Sequence, residues 1–197
     1  MKIKICGLFR EEDIDYVNEA EPDYAGFVFA ESSRRVDFDT ARQLSAGLKP
    51  EIVPVGVFVD APADTIISLH SARVIRAAQL HGREDAAYVA KIKEAGITVI
   101  KTIQCASGGL KIESTSNSDF LLFDSGRGSG KRFDWSLLSD AGVAGKPWFL
   151  AGGINQDTIK EAVLLRPFGI DVSSGAESGG VKDREKIKKL VSCVRGI

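Results

Sequence analysis

The chain has 197 residues, 44% of them hydrophobic and 27% charged, with a formal net charge of −1, the composition of an ordinary soluble globular protein. A near-neutral balance without any block of like charges argues against a nucleic-acid surface or a basic membrane face. Three widely spaced cysteines without CxxC or Cys/His metal spacing argue against a disulfide framework and fit a reducing cytoplasm; no signal-peptide pattern or bilayer-length apolar run is visible.

The predicted elements alternate from the start. The segment "KIKICG" (2–7) reads as a strand with Ile3 and Ile5 on one face, ending at Cys6, and the acid-rich "REEDIDYVNEA" reads as the helix after it. "YAGFVFA" (24–30) is a second strand, followed by the helix "DFDTARQLSAGL" with Asp37 or Asp39 as its cap. "VPVGVFV" (53–59) leads to the helix "APADTIISLHSA", and "VIRAAQLHG" (74–82) to "REDAAYVAKIKEAG", which stops at Gly96. "ITVIKTI" (97–103) is the fifth strand. The Gly- and Ser-rich "QCASGGLKIESTSNSD" after it has little helical period, so the fifth helix is expected to be short or missing. "FLLFDS" (120–125), "WFLAGG" (148–153) and "GIDVSSG" (169–175) complete the strands, with "DWSLLSDAG", "NQDTIKEAVLL" and "DREKIKKLVSCV" as their helices.

Eight strands recurring about every 25 residues, each with a crossover helix, allow an open doubly wound sheet or a closed barrel. The first strand-to-helix turn has no GxGxxG, and glycine-rich loops come after strands six to eight, where such barrels commonly hold phosphate. We therefore expect a (β/α)8 TIM barrel over 1–197 as a single domain. Its active site would lie at the C-terminal strand ends. These ends carry Cys6, Gln79, His81, Asp124, Gly152, Gly153, Ser173, Ser174 and Gly175. Each taken singly has an ordinary reading: an unpaired cysteine is usually a small buried hydrophobe, and a strand-end aspartate usually a helix cap. Their clustering at one mouth favours chemistry.

Three loops form the expected phosphate cradle: "GRGSGKRFDW" (126–135) with Gly128, Ser129 and Gly130, "AGGIN" (151–155) with Gly152 and Gly153, and "VSSGAE" (172–177) with Ser173, Ser174 and Gly175. Glycine lets backbone N–H groups approach an anion without an intervening Cβ. "GSGK" is not a nucleotide P-loop, because Arg132 stands where that motif requires Ser or Thr.

At these residues the sequence resembles the phosphoribosylanthranilate isomerases of tryptophan biosynthesis. The resemblance runs in order through "KICG", "GFVFAESSRRV", "VGVFV", "QLHG", "LLFDS", "GSGKRFDW", "LAGGI", "GIDVSSGAE" and "KD", covering nearly the whole chain. It implies the barrel fold, an Amadori rearrangement of a small phosphoribosylated substrate, and no metal or cofactor. It also implies Cys6 as general base, Asp124 as general acid, Arg34 as the holder of the anthranilate carboxylate, and the glycine loops as the phosphate site. Four departures stand out: Arg127 where the family commonly has Gly, Ser33 where it often has Pro, an eroded fifth helix, and Arg35 directly after Arg34, which leaves the carboxylate assignment open by one residue.

The chemistry needs an acid for the furanose oxygen and a base for the sugar C2 proton. A free carboxyl is mostly ionised at neutral pH and a free thiol mostly protonated, so the acid needs desolvation and the thiol needs nearby cations or amides. Gln79, His81 and Asp171 are expected beside the substrate in supporting roles, and Cys105 and Cys193 as spectators. The rival readings are the histidine-pathway Amadori isomerase, against which Cys6 argues because that design uses an acid there, and a non-catalytic sensor of phosphate ligands. A monomer or homodimer, free of nucleic acid and membrane, completes the expectation.

Overall fold

The computed structural model describes residues 1–105, 117–125, 133–136, 138 and 145–196. Eight parallel strands close into a barrel in sequence order: β1 (Lys2–Cys6), β2 (Tyr24–Val28), β3 (Val53–Phe58), β4 (Ala77–Leu80), β5 (Thr98–Gln104), β6 (Phe120–Asp124), β7 (Trp148–Leu150) and β8 (Gly169–Val172). Closure is made by β1 and β8, with Lys2 opposite Gly169 and Lys4 opposite Asp171. The helices are α1 (Glu11–Ala20), α2 (Phe38–Ala46), α3 (Ala63–Ser71), α4 (Ala86–Glu94), α5 (Ile159–Leu164) and α6 (Arg184–Arg195). The predicted span after β5, the loop holding Gly128, Ser129 and Gly130, and most of "DWSLLSDAG" lie outside the described residues.

Strand alternation sorts side chains into two cores. Ile3, Ile5, Phe27, Phe58, Leu80, Val99, Phe123, Leu150 and Val172 point outward and pack under the helices. Val55, Ala77, Ile100, Leu122, Phe149 and Ala151 fill the barrel interior, closed toward the strand N-termini by Tyr24, Val53, Phe120 and Phe168. The lysine side of "KIKIC" therefore faces inward: Lys4 is fully buried and paired with Asp171.

Several predicted boundaries shorten. β4 covers only Ala77–Leu80, so His81 and Gly82 fall in the loop beyond it. α5 starts at Ile159, because Asn155 Oδ1 accepts from the backbone N–H of Asp157 and Thr158 and holds the preceding residues in an Asx turn. Of the two candidate caps for α2, Asp37 is the one used, accepting from Thr40 N at 2.8 Å. After β8 the chain forms a short antiparallel pair, β9 (Glu177–Ser178) and β10 (Val181–Lys182), before Asp183 caps α6.

Candidate active site

Cys6 ends β1 with only 7% of its surface exposed. It lies against Gly26 of β2, where a Cβ would come within 2.8 Å of its Sγ, so the missing side chain at Gly26 makes room for the thiol. The next residue, Gly7, has φ +83°, and a Cβ there would lie 2.5 Å from Arg34 Cδ and 3.4 Å from Ser173 Oγ. Gly7 thus serves twice, by adopting a left-handed backbone and by letting the Arg34 stem cross the mouth beside the end of β8.

Beneath Cys6 on the same inward face, Lys4 Nζ donates to Asp171 Oδ1 at 2.9 Å. Lys4 is also an electrostatic neighbour of the thiol. Burial pushes the Cys6 thiol up. Lys4 and Lys182 pull it back down and Asp171 adds to the rise, and the net direction is upward. Burial pulls Lys4 down, but Asp171 and Cys6 outweigh it and keep it a firm cation.

Across the mouth, Asp124 ends β6, and His81 Nε2 lies 3.6 Å from Asp124 Oδ2, longer than a hydrogen bond. Burial lowers His81 despite the nearby Asp124 and Asp171, so the imidazole is biased toward its neutral form and brings little positive charge to the acid. The loop after β7 presses on this carboxylate: Gly152 has φ +82°, and a Cβ there would lie 2.7 Å from Ser125 Oγ and 3.1 Å from Asp124 Oδ1. Gly175, in the turn after β8, packs against the same loop, where a Cβ would fall 1.9 Å from the Ile154 carbonyl oxygen. Two of the three expected cradle loops are thus in contact, backbone against backbone.

Arg34 and Arg35 separate sharply. Arg34 turns to the mouth and forks onto Glu177, with Nε to Oε1 at 2.6 Å and Nη2 to Oε2 at 2.8 Å. Arg35 is exposed and pairs with Glu31 on the outside. Gln79 is buried inside the barrel, and its Oε1 and Thr102 Oγ1 have no hydrogen-bond partner among the described residues. Cys105 is buried in the outer core, and burial with the Asp124 charge pushes its thiol up to about 12; Cys193 is half-buried on α6. Among the described residues no group of three or more His, Cys, Asp or Glu is placed to hold a metal ion.

Sequence reasoning missed Lys4, Glu177 and Lys182. The signal available was parity for Lys4, two residues from Cys6 on one face of a strand whose other face is apolar. Glu177 and Lys182 stand in the motifs "GIDVSSGAE" and "KD", but their roles come from contacts with Arg34 and the end of β8 that no local pattern gives.

The chain matches the family model for N-(5′-phosphoribosyl)anthranilate (PRA) isomerase over residues 3–193. It is 46% identical to the N-(5′-phosphoribosyl)anthranilate isomerase of Endomicrobium trichonymphae, covering 100% of this chain and 99% of the relative. It is similar to the crystal structure of phosphoribosyl anthranilate isomerase from Thermus thermophilus, with a TM-score of 0.90 and 32% identity over 100% of this chain and 99% of the other. A phosphoribosyl anthranilate isomerase solved in complex with reduced 1-(o-carboxyphenylamino)-1-deoxyribulose 5-phosphate matches with a TM-score of 0.86 and 33% identity over 100% of both chains.

Proposed function

From the premise that the chain belongs to the N-(5′-phosphoribosyl)anthranilate isomerase family, we propose that Cys6 and Asp124 carry its reaction as general base and general acid. The protein is an isomerase of tryptophan biosynthesis that converts N-(5′-phosphoribosyl)anthranilate to 1-(2-carboxyphenylamino)-1-deoxyribulose 5-phosphate. That membership favours neither the sensor nor the histidine-pathway reading.

Asp124 donates its proton to the furanose oxygen, and the ring opens to an iminium. Cys6 removes the C2 proton, and the resulting enolamine relaxes to the ketone. The buried thiol is held upward in the free protein, yet Lys4 and Lys182 stand beside it, and the iminium adds a further positive charge at the moment a thiolate is needed. Arg34 holds the anthranilate carboxylate, while Gln79, His81 and Asp171 stand beside the sugar. The phosphate lies against the loops at Gly128–Gly130, Gly152–Gly153 and Ser173–Gly175, an idea supported for the last two by their close packing. The same reading puts the chain in the cytoplasm as a monomer or homodimer. The free thiols Cys6, Cys105 and Cys193 suit a reducing compartment, and among the described residues no helix is long and apolar enough to cross a membrane.

The observation that carries the proposal is a thiol and a carboxyl at two strand ends of one mouth, with Lys4 and Lys182 beside the thiol. Cys6→Ser and Asp124→Asn should each lower kcat by about 10² to 10⁴ in a fluorescence assay on freshly generated substrate, with unchanged circular dichroism. Turnover of Cys6→Ser at the parent rate would make the thiol a packing residue and His81 the next candidate base.

A further inference from the structure

Among the described residues the guanidinium of Arg34 is bound along one edge. Glu177 takes Nε–H at 2.6 Å and an Nη2–H at 2.8 Å. Of the five N–H donors of an arginine, three then remain, on Nη1 and the outer side of Nη2, in the fork geometry that fits a second carboxylate. Glu177 is itself fixed. Its side chain is 5% exposed, it sits directly opposite Lys182 in the β9–β10 pair, and the fully buried Lys182 ammonium also bonds its Oε1. Lys182 Nζ donates in addition to the Ser173 carbonyl at 3.3 Å, tying the pair to the end of β8. Burial would raise the Glu177 carboxyl, but the hydrogen bonds from Arg34 and Lys182 win and hold it below its usual range. Two cations around one carboxylate leave the cluster with one uncompensated positive charge, facing the mouth through Arg34.

We propose that Glu177 is a specificity-determining positioning residue: it holds the inner edge of Arg34 so that the outer edge is presented, preformed, to the carboxylate of the substrate. This rests on the reading that Arg34 binds that carboxylate. Glu177 touches no reacting atom, and its effect is confined to discrimination between ligands with and without the carboxylate. An alternative role, a counter-ion that must let go of Arg34 before the ligand binds, has the opposite sign, because removing it would tighten binding.

The test is calorimetric binding of two probes: reduced 1-(o-carboxyphenylamino)-1-deoxyribulose 5-phosphate and the same molecule lacking the carboxylate. Wild type should prefer the first. In Glu177→Gln that preference should fall about tenfold, with the second probe bound as in wild type, and in steady state KM should rise with kcat within twofold. Glu177→Asp, which keeps the charge with a shorter reach, should lie between and serves if the glutamine variant does not fold. A preference unchanged or increased in both variants overturns the proposal, as does an equal loss for both probes. Arg34→Ala separates the two levels. If it leaves the preference intact, the carboxylate reading itself fails and takes this inference with it. If it abolishes the preference while the Glu177 variants do not reduce it, only the positioning role fails.

Discussion

A cysteine is an unusual choice for the proposed base, and the residue that most alters its charge is Lys4, two residues earlier on the same face of β1. Lys4 is a fully buried cation between Asp171 and the thiol. Removing it takes away the main charge that pulls the thiol down and strands a buried carboxylate. Lys4→Met should therefore destabilise the fold by about 3–5 kcal/mol, measured by denaturant unfolding. The pH dependence has a definite sign. With the Cys6 thiolate as the proposed base, kcat/KM should rise with pH as Cys6 deprotonates; since the folded environment holds the thiol upward, this limb should extend above the ordinary thiol range. Loss of the Lys4 charge raises the thiol further, so in Lys4→Met the limb should move to higher pH. A limb that stays in place would mean that Lys4 only supports the barrel.

At the level of elements, the mouth depends on loops that touch where no Cβ fits. Gly175 stands against the Ile154 carbonyl, and Gly152 against the Ser125 backbone, so the turns after β7 and β8 pack on each other and on the end of β6. Gly175→Ala would force the β7 and β8 turns apart, costing about 1–3 kcal/mol as overpacking does. It should raise KM more than it lowers kcat, because the Cys6 and Asp124 backbones belong to β1 and β6 and the displaced turns are the proposed phosphate loops. A KM equal to that of wild type would remove these turns from the phosphate site. The helices tell a related story: Asp37, Asp85 and Asp183 each accept from a backbone N–H in the first turn of α2, α4 and α6, local chemistry that can be read residue by residue.

For the molecule as a whole, a ligand that binds only the closed barrel should stabilise it. Inorganic phosphate at a hundred times its Kd should add about 2.7 kcal/mol, or roughly 5–11 °C in Tm for a chain of this size. Phosphate also stabilises proteins generally by exclusion from their surface, so the specific part is the difference between wild type and Gly175→Ala at equal phosphate. Equal shifts in the two proteins would mean that the anion finds no cradle at these turns.

The sequence by itself determined the repeating strand-and-helix order, the closed barrel, the mouth at the C-terminal strand ends and the family, because each rests on local patterns: alternation, caps, glycine turns and short ordered motifs. It also marked Cys6, Asp124 and Arg34 as candidates. The tertiary structure alone decided that Arg34 faces the mouth and Arg35 the solvent, two adjacent residues that local pattern cannot tell apart. It alone joined Lys4 to Asp171, 167 positions away, and Arg34 to Glu177, 143 positions away. Barrel closure brings β1 beside β8 and the β2 loop over both. Charges that are remote along the chain then meet in a desolvated interior, where their pairing sets the protonation and orientation of the groups around them.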